Sequence, residues 1–289
     1  MLAMQILVDG FVVSALYGLG AIGFTIIFGV SGVLNLAHGG IMVTAAMIAW
    51  WVALRAGRYW GAFAGVGAGI VAAYLTYYAV VRPIRLSRRI PDKEKEIFIL
   101  TATLLWAIMI QEGIAYLFTS NPITVLPLAS GVTDLFGVRT PVNELLIGAV
   151  CWVVIGLLWL FVNHTKLGRS IRAAAINPRG LALLGFNLSR IHAIVWGLYG
   201  LLAGIAGVLL ATFIGASSDN VGDLTGSAFS IVVFGGLGSV PGSLIAAYVI
   251  GYFETATAYL LTPSIREMPA LALLVLVLYL RPQGLLGRR

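Results

Sequence analysis

Two polar side chains with hydrogen-bonding chemistry interrupt the first apolar stretches of the sequence. Asn35 and His38 lie three residues apart in the segment FGVSGVLNLAHGG, residues 28–40. Both are costly in hydrocarbon without partners, because lipid offers no hydrogen bonds. The segment therefore predicts either a tight turn at the membrane interface, in which Asn35 caps a helix, or the polar lining of a translocation path.

Carboxylates in apolar surroundings are a second chemical signal. Glu112, next to Gln111, lies deep in the stretch 97–118, and Glu254 lies in a later stretch. A carboxylate at the bilayer centre costs about 2.5–3.5 kcal/mol on insertion scales. Such residues are functional candidates by default, with a hydrogen bond between helices as the structural alternative. We rank Glu112 first among them as a residue of a translocation path.

A glycine-rich segment, FGGLGSVPGS, occupies residues 234–243. It places Gly235, Gly236 and Gly238 just before Pro241. Irregular backbone at membrane depth is tolerated only where it is buried in protein or lines a cavity. The segment predicts either a gate or hinge, or a loop at the inner surface.

The segment 163–190 combines basic residues with signals for a short helix. Asn177 is a natural N-cap and Pro178 suits the first helical position. A helix of about two turns is predicted from Pro178 to Leu184, with Gly185 ending it. A short helix presented on a loop can dock in the groove of a partner. The alternative is an ordinary basic loop.

Motifs for most enzyme chemistries are missing from the sequence. No lysine follows a glycine, as a P-loop requires, and no histidine begins a His-Glu-x-x-His zinc motif. Gly18, Gly20 and Gly23 match a dinucleotide-binding pattern, but they lie within an apolar stretch, where close helix packing explains them. We therefore expect neither an enzymatic site nor a metal or cofactor on this chain.

The composition of the chain predicts which secondary structure positions these residues. Of the 289 residues, 60% are hydrophobic and 10% are charged, whereas soluble domains carry about 25% charged residues. Runs of roughly 20 apolar residues, enough to cross the hydrocarbon core, fill most of the chain. Helices satisfy their own backbone groups in lipid. The sequence predicts one all-α polytopic membrane domain, residues 1–289, with about eight or nine transmembrane helices and a short glycine-rich segment that is broken or re-entrant.

Basic residues predict the orientation of the chain. The predicted apolar segments are 5–30, 40–54, 60–81, 97–118, 142–162, 191–215, 225–239, 242–262 and 267–280. Three basic clusters lie between and after them, in 82–95, in 163–190 and in the tail with Arg281, Arg288 and Arg289, and they hold 14 of the 18 basic residues. By the positive-inside rule the loops and the tail face the cytoplasm.

This orientation constrains the last part of the chain. Residues 191–280 begin and end inside, so they cross an even number of times. Four crossings are predicted if 225–239 is a span, whereas a re-entrant 225–239 would place the basic tail outside. We favour four crossings, which leaves the N-terminus outside.

Three segments together resemble the permease subunits of branched-chain amino acid ABC importers of the LivH type. They are FGVSGVLNLAHG (28–39), LGRSIRAAAINPRGLALLGFNLSRI (167–191) with the following LYGLLAGIAGVL (198–209), and FGGLGSVPGSLIAA (234–247). The resemblance implies a single transmembrane permease domain in the inner (plasma) membrane. It also implies a second homologous permease, two cytoplasmic ATPase subunits that use the ATP, and a periplasmic or extracellular solute-binding protein. Nucleic acid is not an expected partner.

The resemblance also implies roles for individual residues. The ATPase-coupling element would include Gly168, Arg169, Arg172, Asn177, Pro178, Leu184 and Gly185. The translocation path or gate would include Asn35, His38, Glu112, Gly235, Gly236, Gly238 and Pro241. The mechanism would be alternating access driven by the ATPases.

Two alternatives stay open at this point. The same family includes permeases for urea, short amides and aromatic acids, and the sequence does not separate these substrates. The other alternative is a secondary transporter driven by an ion gradient, in which Glu112, Glu254 or His38 would titrate during the cycle. Dependence on ATP and a cognate ATPase distinguishes the importer from the secondary transporter.

Overall fold

The computed structural model describes residues 2–135 and 137–287, and α-helices dominate it. The helices are α1 (Leu2–Ser31), α2 (His38–Ala56), α3 (Arg58–Leu75), α4 (Arg82–Leu86), α5 (Lys95–Leu117), α6 (Val142–His164), α7 (Lys166–Ile176), α8 (Pro178–Leu183), α9 (Leu188–Phe213), α10 (Asn220–Gly235), α11 (Val240–Leu260) and α12 (Met268–Leu280). A π-helical segment, Thr76–Val81, joins α3 to α4, so that 58–86 is one continuous helical rod.

Each of the nine predicted apolar segments corresponds to a helix, but fewer helices qualify as full spans. Six are long and apolar enough to cross a membrane by length and composition, and there are up to seven if the bent pair α10–α11 is one span. The predicted eight or nine was higher because α10 has 16 residues and α12 has 13. Both are shorter than the roughly 20 residues that an untilted span needs.

The bundle has two ends, and the long helices run between them. At one end, here called the basic end, Arg85 Nη2 donates a hydrogen bond of 2.7 Å to Ser31 O, the last residue of α1. The opposite end, here called the hairpin end, carries a short β-hairpin of Val132–Leu135 paired with Val138–Pro141. This hairpin was not predicted from the sequence. Of the predicted basic tail, Arg288 and Arg289 lie outside the described residues.

Helices α10 and α11 form the broken element that the glycine-rich segment predicts. They meet at an angle of 120° across the turn 236–239, where Gly236 and Gly238 adopt φ of +102° and +81°. The tail packs on this turn, with Leu285 N donating to Phe234 O at 2.8 Å and Leu286 N to Gly235 O at 3.0 Å. Chain direction therefore alternates between the two ends through α9, α10, α11 and α12, whereas the prediction of four membrane crossings by these helices stays a prediction.

Glycines set the close packing of α3 on α9. A Cβ at Gly69 would lie 2.6 Å from Gly204 Cα and 3.0 Å from Gly200 O. Small residues at such positions let two backbones approach, and packing of this kind drives helix association in lipid. The interface therefore depends on the absence of side chains at these three positions.

We expect Gly69→Ala to destabilise the bundle, whereas Gly67→Ala on the same helix should not. The added methyl at position 69 collides with backbone that cannot move aside, and overpacking of this kind costs about 1–3 kcal/mol. Nothing lies within 4 Å of a Cβ at Gly67. Thermal unfolding in detergent, followed by size-exclusion chromatography, measures the difference. Equal midpoints for the two variants would contradict the packing argument.

Candidate functional site

The segment between α1 and α2 is irregular backbone buried inside the bundle. Gly32, with φ of +62°, ends the first helix, and residues 33–37 run without helical structure to His38. Leu36 N donates to Thr103 Oγ1 at 3.2 Å, and Ala37 N donates to Asn35 Oδ1 at 3.1 Å. These bonds satisfy backbone groups that lipid could not satisfy.

The first residue of α2 consequently lies deep in the bundle rather than at its surface. The His38 ring packs edge-on against Phe24, about two turns before the end of α1, with the centroids 5.4 Å apart. It also contacts Tyr199, eleven residues into α9 and so about 16 Å along that helix from its start. The interfacial turn capped by Asn35 is therefore not the arrangement that the structure adopts, since Ala37 is the N-cap.

Asn35, His38 and Tyr199 form one buried hydrogen-bonded cluster, here called the polar cluster. Asn35 Nδ2 donates to the Tyr199 hydroxyl at 3.0 Å, and His38 Nδ1 lies 2.9 Å from the same oxygen. Each of the three side chains is at most 1% exposed. The sequence predicted Asn35 and His38 as path residues, and the structure brings these two together across a third residue.

The bonding pattern favours one arrangement of the protons in the cluster. Asn35 Oδ1 accepts from Ala37 N, so its amide nitrogen must be the group that meets Tyr199. The Tyr199 oxygen accepts that bond, and its own hydrogen is then directed to His38 Nδ1. A neutral imidazole that accepts at Nδ1 carries its proton on Nε2. We assign this tautomer from the network, which leaves an Nε2–H donor on His38.

The Nε2 atom of His38 is buried and has no hydrogen-bond partner within the described residues. It borders a cavity of about 20 Å³, whose walls include Tyr17, Gly20, Met42 and Ser227. A space of this size accommodates about one water molecule. A buried donor therefore borders a cavity between α1, α2, α9 and α10.

Glu254 and Tyr17 form a second hydrogen-bonded pair, in which Glu254 is buried and Tyr17 is half-buried. The Tyr17 hydroxyl donates to Glu254 Oε2 at 2.7 Å, and Glu254 is 4% exposed. The bond joins α1 to α11. Glu254 is therefore placed in the interior, which fits its interpretation as a helix-to-helix hydrogen bond.

Glu112 lies elsewhere. Its side chain is exposed, because the buried stripe of α5 runs along another face of that helix through Ile99, Thr103, Ala107 and Ile114. Glu112 has apolar neighbours in the sequence, but its side chain lies on a face of α5 at the outside of the bundle. A path role for Glu112 therefore requires a second chain on that face.

The glycines of the predicted gate lie at the basic end. Gly235 packs on α11, where its Cβ would be 2.5 Å from Gly242 C, and Gly238 approaches Gly29. Pro241, in the first turn of α11, is exposed. In the structure, backbone hydrogen bonds connect the end of α10, just before this turn, to the tail at Leu285 and Leu286.

Tyr17 and Tyr199 were not predicted as site residues, although their sequence contexts, LYGLGAIG and LYGLLAGIAG, are similar. In both cases a tyrosine precedes small residues, and its hydroxyl reaches a buried polar side chain on another helix. The shared pattern is the signal that could have identified them.

The predicted coupling segment is two capped helices at the basic end. Thr165 accepts from Gly168 N at 2.9 Å and starts α7, and Asn177 accepts from Gly180 N at 2.8 Å and starts α8. Gly168 packs so closely on the end of α6 that a Cβ would lie 2.5 Å from Val162 Cα.

The predicted end of the short helix agrees with the structure to one residue. Pro178 opens α8, Leu184 is its C-cap, and Gly185 follows with φ of +85°. A left-handed residue after the last turn is the usual glycine stop.

The outer surface of these two helices is both apolar and basic. Leu183 and Leu184 are 89% and 76% exposed, whereas Ile171 and Ala174 turn inward to the core. The side chains of Arg169 and Arg172 are exposed, and Arg172 Nη1 donates to Asn163 Oδ1 at 2.6 Å.

A loop that carries both acidic and basic residues borders this surface. The hydrogen bond from Lys95 to Asp92, 2.7 Å long, and to a lesser degree the charge of Arg179 on α8 lower the pKa of the Asp92 carboxyl. Asp92 is therefore ionised at neutral pH, and the surface around α8 carries both signs of charge. Mixed charge around exposed leucines is typical of a docking surface.

Known proteins resemble this chain along nearly its whole length. A family described as "Branched-chain amino acid transport system / permease component" matches residues 6–278. The high-affinity branched-chain amino acid transport system permease protein LivH of Escherichia coli K12 is 28% identical over 99% of this chain and 96% of its own length. The corresponding permease protein BraD of Pseudomonas aeruginosa is 31% identical over the same shares of the two chains.

More distant similarity extends to other proteins. The ribose import permease protein RbsC of Escherichia coli K12 is 29% identical over 61% of this chain and 57% of its own. A solved structure titled PsaBC from Streptococcus pneumoniae in complex with Fab has a TM-score of 0.54 at 12% identity, covering 96% of this chain and 92% of that one, which shows a shared fold alone. The family match over residues 6–278 and the 31% identity to BraD over 99% of the chain lead to one conclusion: the chain belongs to the family of branched-chain amino acid transport system permease components.

Proposed function

We propose that this chain is the transmembrane permease subunit of an ATP-binding cassette importer for branched-chain amino acids. The observation that carries the proposal is the family match over residues 6–278, together with relatives named for branched-chain amino acid transport that align over 99% of the chain. The fold agrees with this role, because it has a broken helix pair and polar side chains inside an apolar bundle.

The polar cluster is the part of the path that this chain itself supplies. In alternating access, a solute passes a site that opens first to one side and then to the other. Asn35, His38 and Tyr199 meet where irregular backbone and the start of α2 lie inside the bundle. The positive end of the α2 dipole and the Nε2–H of His38 both favour a carboxylate.

In this proposal, α7 and α8 couple the permease to the ATPase subunits. The segment 163–190 faces the cytoplasm, since the basic end carries the positively charged loops. The exposed Leu183 and Leu184 insert into a groove of an ATPase subunit, and Arg169 and Arg172 pair with acidic residues around it. ATP binds the two ATPase subunits, and this chain contributes neither an ATPase site nor a cofactor site.

The complex also needs partners on the other faces. A second homologous permease covers the exposed side of α5, where Glu112 lies, and a solute-binding protein delivers substrate at the hairpin end. The chain is thus a multi-pass protein of the inner (plasma) membrane, with its basic loops and tail in the cytoplasm.

Reconstitution tests the proposal directly. We expect vesicles that contain the permease pair, the ATPases and the solute-binding protein to import L-leucine with ATP and not with ADP. Dissipating proton and sodium gradients with ionophores should leave the uptake unchanged, and ribose serves as the control solute. Leucine uptake without ATPases, driven by an imposed ion gradient, would instead establish the secondary transporter.

A further inference from the structure

A second, larger cavity lies between α10, α11 and the start of α12. Its volume is about 150 Å³. The side chains that matter for its chemistry are Asp223, Ser227, Ile250, Glu254, Glu267 and Leu271. Asp223 belongs to the first turn of α10 and Glu267 immediately precedes α12, so the cavity is in the half of the bundle nearest the hairpin end. We call it the acidic cavity.

The acidic cavity has an excess of negative charge. It contains three carboxylates, and the guanidinium of Arg266 offsets one of them through an ion pair of 3.6 Å with Glu267. Glu254 is 96% buried and uses one oxygen, Oε2, to accept from Tyr17. Across the described part of the chain, its other oxygen has no hydrogen-bond donor. Because Glu254 lines the cavity, this oxygen can accept a hydrogen bond from a cationic or hydrogen-bonding occupant there.

A metal ion is not the occupant that the geometry favours. No three carboxylate, imidazole or thiol groups of the described residues are close enough to hold a metal ion. The walls instead combine carboxylates with the hydroxyls of Ser227 and Ser230 and the aliphatic side chains of Ile250 and Leu271. Such a lining suits an organic cation with an apolar body.

The small cavity next to His38 adjoins the acidic cavity on its inner side, and it offers a hydrogen-bond donor rather than acceptors. Ser227 borders both the acidic cavity and the small cavity next to His38, and Tyr17 links them through its bond to Glu254. The unpartnered Nε2–H donor of the fully buried His38 borders that small cavity. Acceptors at the outer end and a donor at the inner end match the charges of a zwitterion.

We propose that the acidic cavity binds the ammonium group of an aliphatic α-amino acid, with Glu254 and Asp223 as its acceptors and with Ile250 and Leu271 against the side chain. The proposal rests on the proposed function for the nature of the solute, and it adds the residues that recognise the solute. The carboxylate of the amino acid would point inward, toward the donor of His38.

Saturation-transfer NMR with the full-length chain in nanodiscs tests the site with L-leucine as the probe. We expect Glu254→Gln and Asp223→Asn each to weaken leucine binding by about tenfold, the loss of one charge-assisted hydrogen bond. Glutamine at 254 still accepts from Tyr17, so the fold is preserved. The matched control is Asp219→Asn, an exposed carboxylate one turn before Asp223 that does not line the cavity, and its affinity should equal that of the wild type.

Two analogues of leucine test the recognition of its ammonium group and of its carboxylate separately. Isopentylamine, which keeps the ammonium group, should displace leucine from the wild type but lose this ability in Glu254→Gln. The acid 4-methylpentanoate should compete equally weakly with both. Unchanged affinity in both cavity variants, displacement by 4-methylpentanoate as strong as by leucine itself, or no leucine signal from the wild type would overturn the site.

ATP-driven uptake by the complete complex distinguishes this failure from failure of the proposed function. If wild-type vesicles import leucine while the cavity variants bind it normally, the proposed binding site is wrong and the proposed function stands. If wild-type vesicles with all partners do not import leucine, the function itself is lost, and the identity of the solute with it.

Discussion

A chain in which Arg169 and Arg172 are both replaced by glutamate is expected to lose ATP-coupled uptake while the assembled ATPases continue to hydrolyse ATP. Both side chains are exposed on α7, next to the apolar tip of Leu183 and Leu184. Juxtaposed like charges at an interface cost several kcal/mol, so uptake should fall by about tenfold or more. Uptake and hydrolysis measured on the same vesicles give the coupling ratio.

The fold should survive this charge reversal. The cap of α7 is the side chain of Thr165, and its buried face is Ile171 and Ala174, none of which changes. The matched control reverses Arg55 and Arg139, two exposed arginines at the hairpin end, and should leave the coupling ratio as it is. Equal coupling ratios in the two double variants would argue against α7 and α8 as the site where the ATPases act.

The apolar tip offers a second test of the same surface. Leu183→Ser with Leu184→Ser removes exposed apolar area without changing charge. If the leucines fill a groove of the ATPase, the purified permease should retain less ATPase subunit through detergent wash, because anchors in pockets dominate such interfaces. Retention of a full complement of ATPase would mean that the leucines face solvent or lipid instead.

Local signals in the sequence were sufficient for the nine apolar helices and for the short helix α8 with its cap. The segment 142–162 became the helix Val142–His164, and the short helix predicted from Asn177, Pro178 and Gly185 forms within one residue of its predicted end. Apolar run length and capping chemistry act over a few residues, so one sequence contains them.

Contacts between distant segments were beyond the sequence. His38 and Tyr199 are 161 residues apart, and nothing in either segment specifies the other. The exposure of Glu112 was likewise beyond the sequence, since an acidic residue in an apolar run cannot reveal which face of its helix is buried. The start of α2 inside the bundle also depends on partners, Thr103 and Thr225, from other helices.

Removing the Tyr199 hydroxyl is expected to destabilise the bundle, because two buried groups depend on it. Tyr199→Phe leaves both Asn35 Nδ2 and His38 Nδ1 without their partner in a fully buried place. A hydrogen bond between membrane helices is worth about 0.6 kcal/mol on average. An unsatisfied buried group costs about 1–3 kcal/mol, so the penalty for two stranded groups outweighs the mean bond value. Stability should fall by at least about 2 kcal/mol, and leucine uptake with it.

A double-mutant cycle separates this cluster from simple loss of packing. Asn35→Leu alone strands Ala37 N and weakens the turn before α2, but in combination with Tyr199→Phe it also removes one of the stranded groups. The double variant should therefore be less destabilised than the sum of the two single variants, by about 0.5–3 kcal/mol, as for residues that share one network. Tyr78→Phe, at a tyrosine exposed on the bundle surface, is the control and should change neither unfolding nor uptake. Strict additivity would show that the two side chains contribute independently, and the proton assignment that places a free donor on His38 Nε2 would then lose its basis.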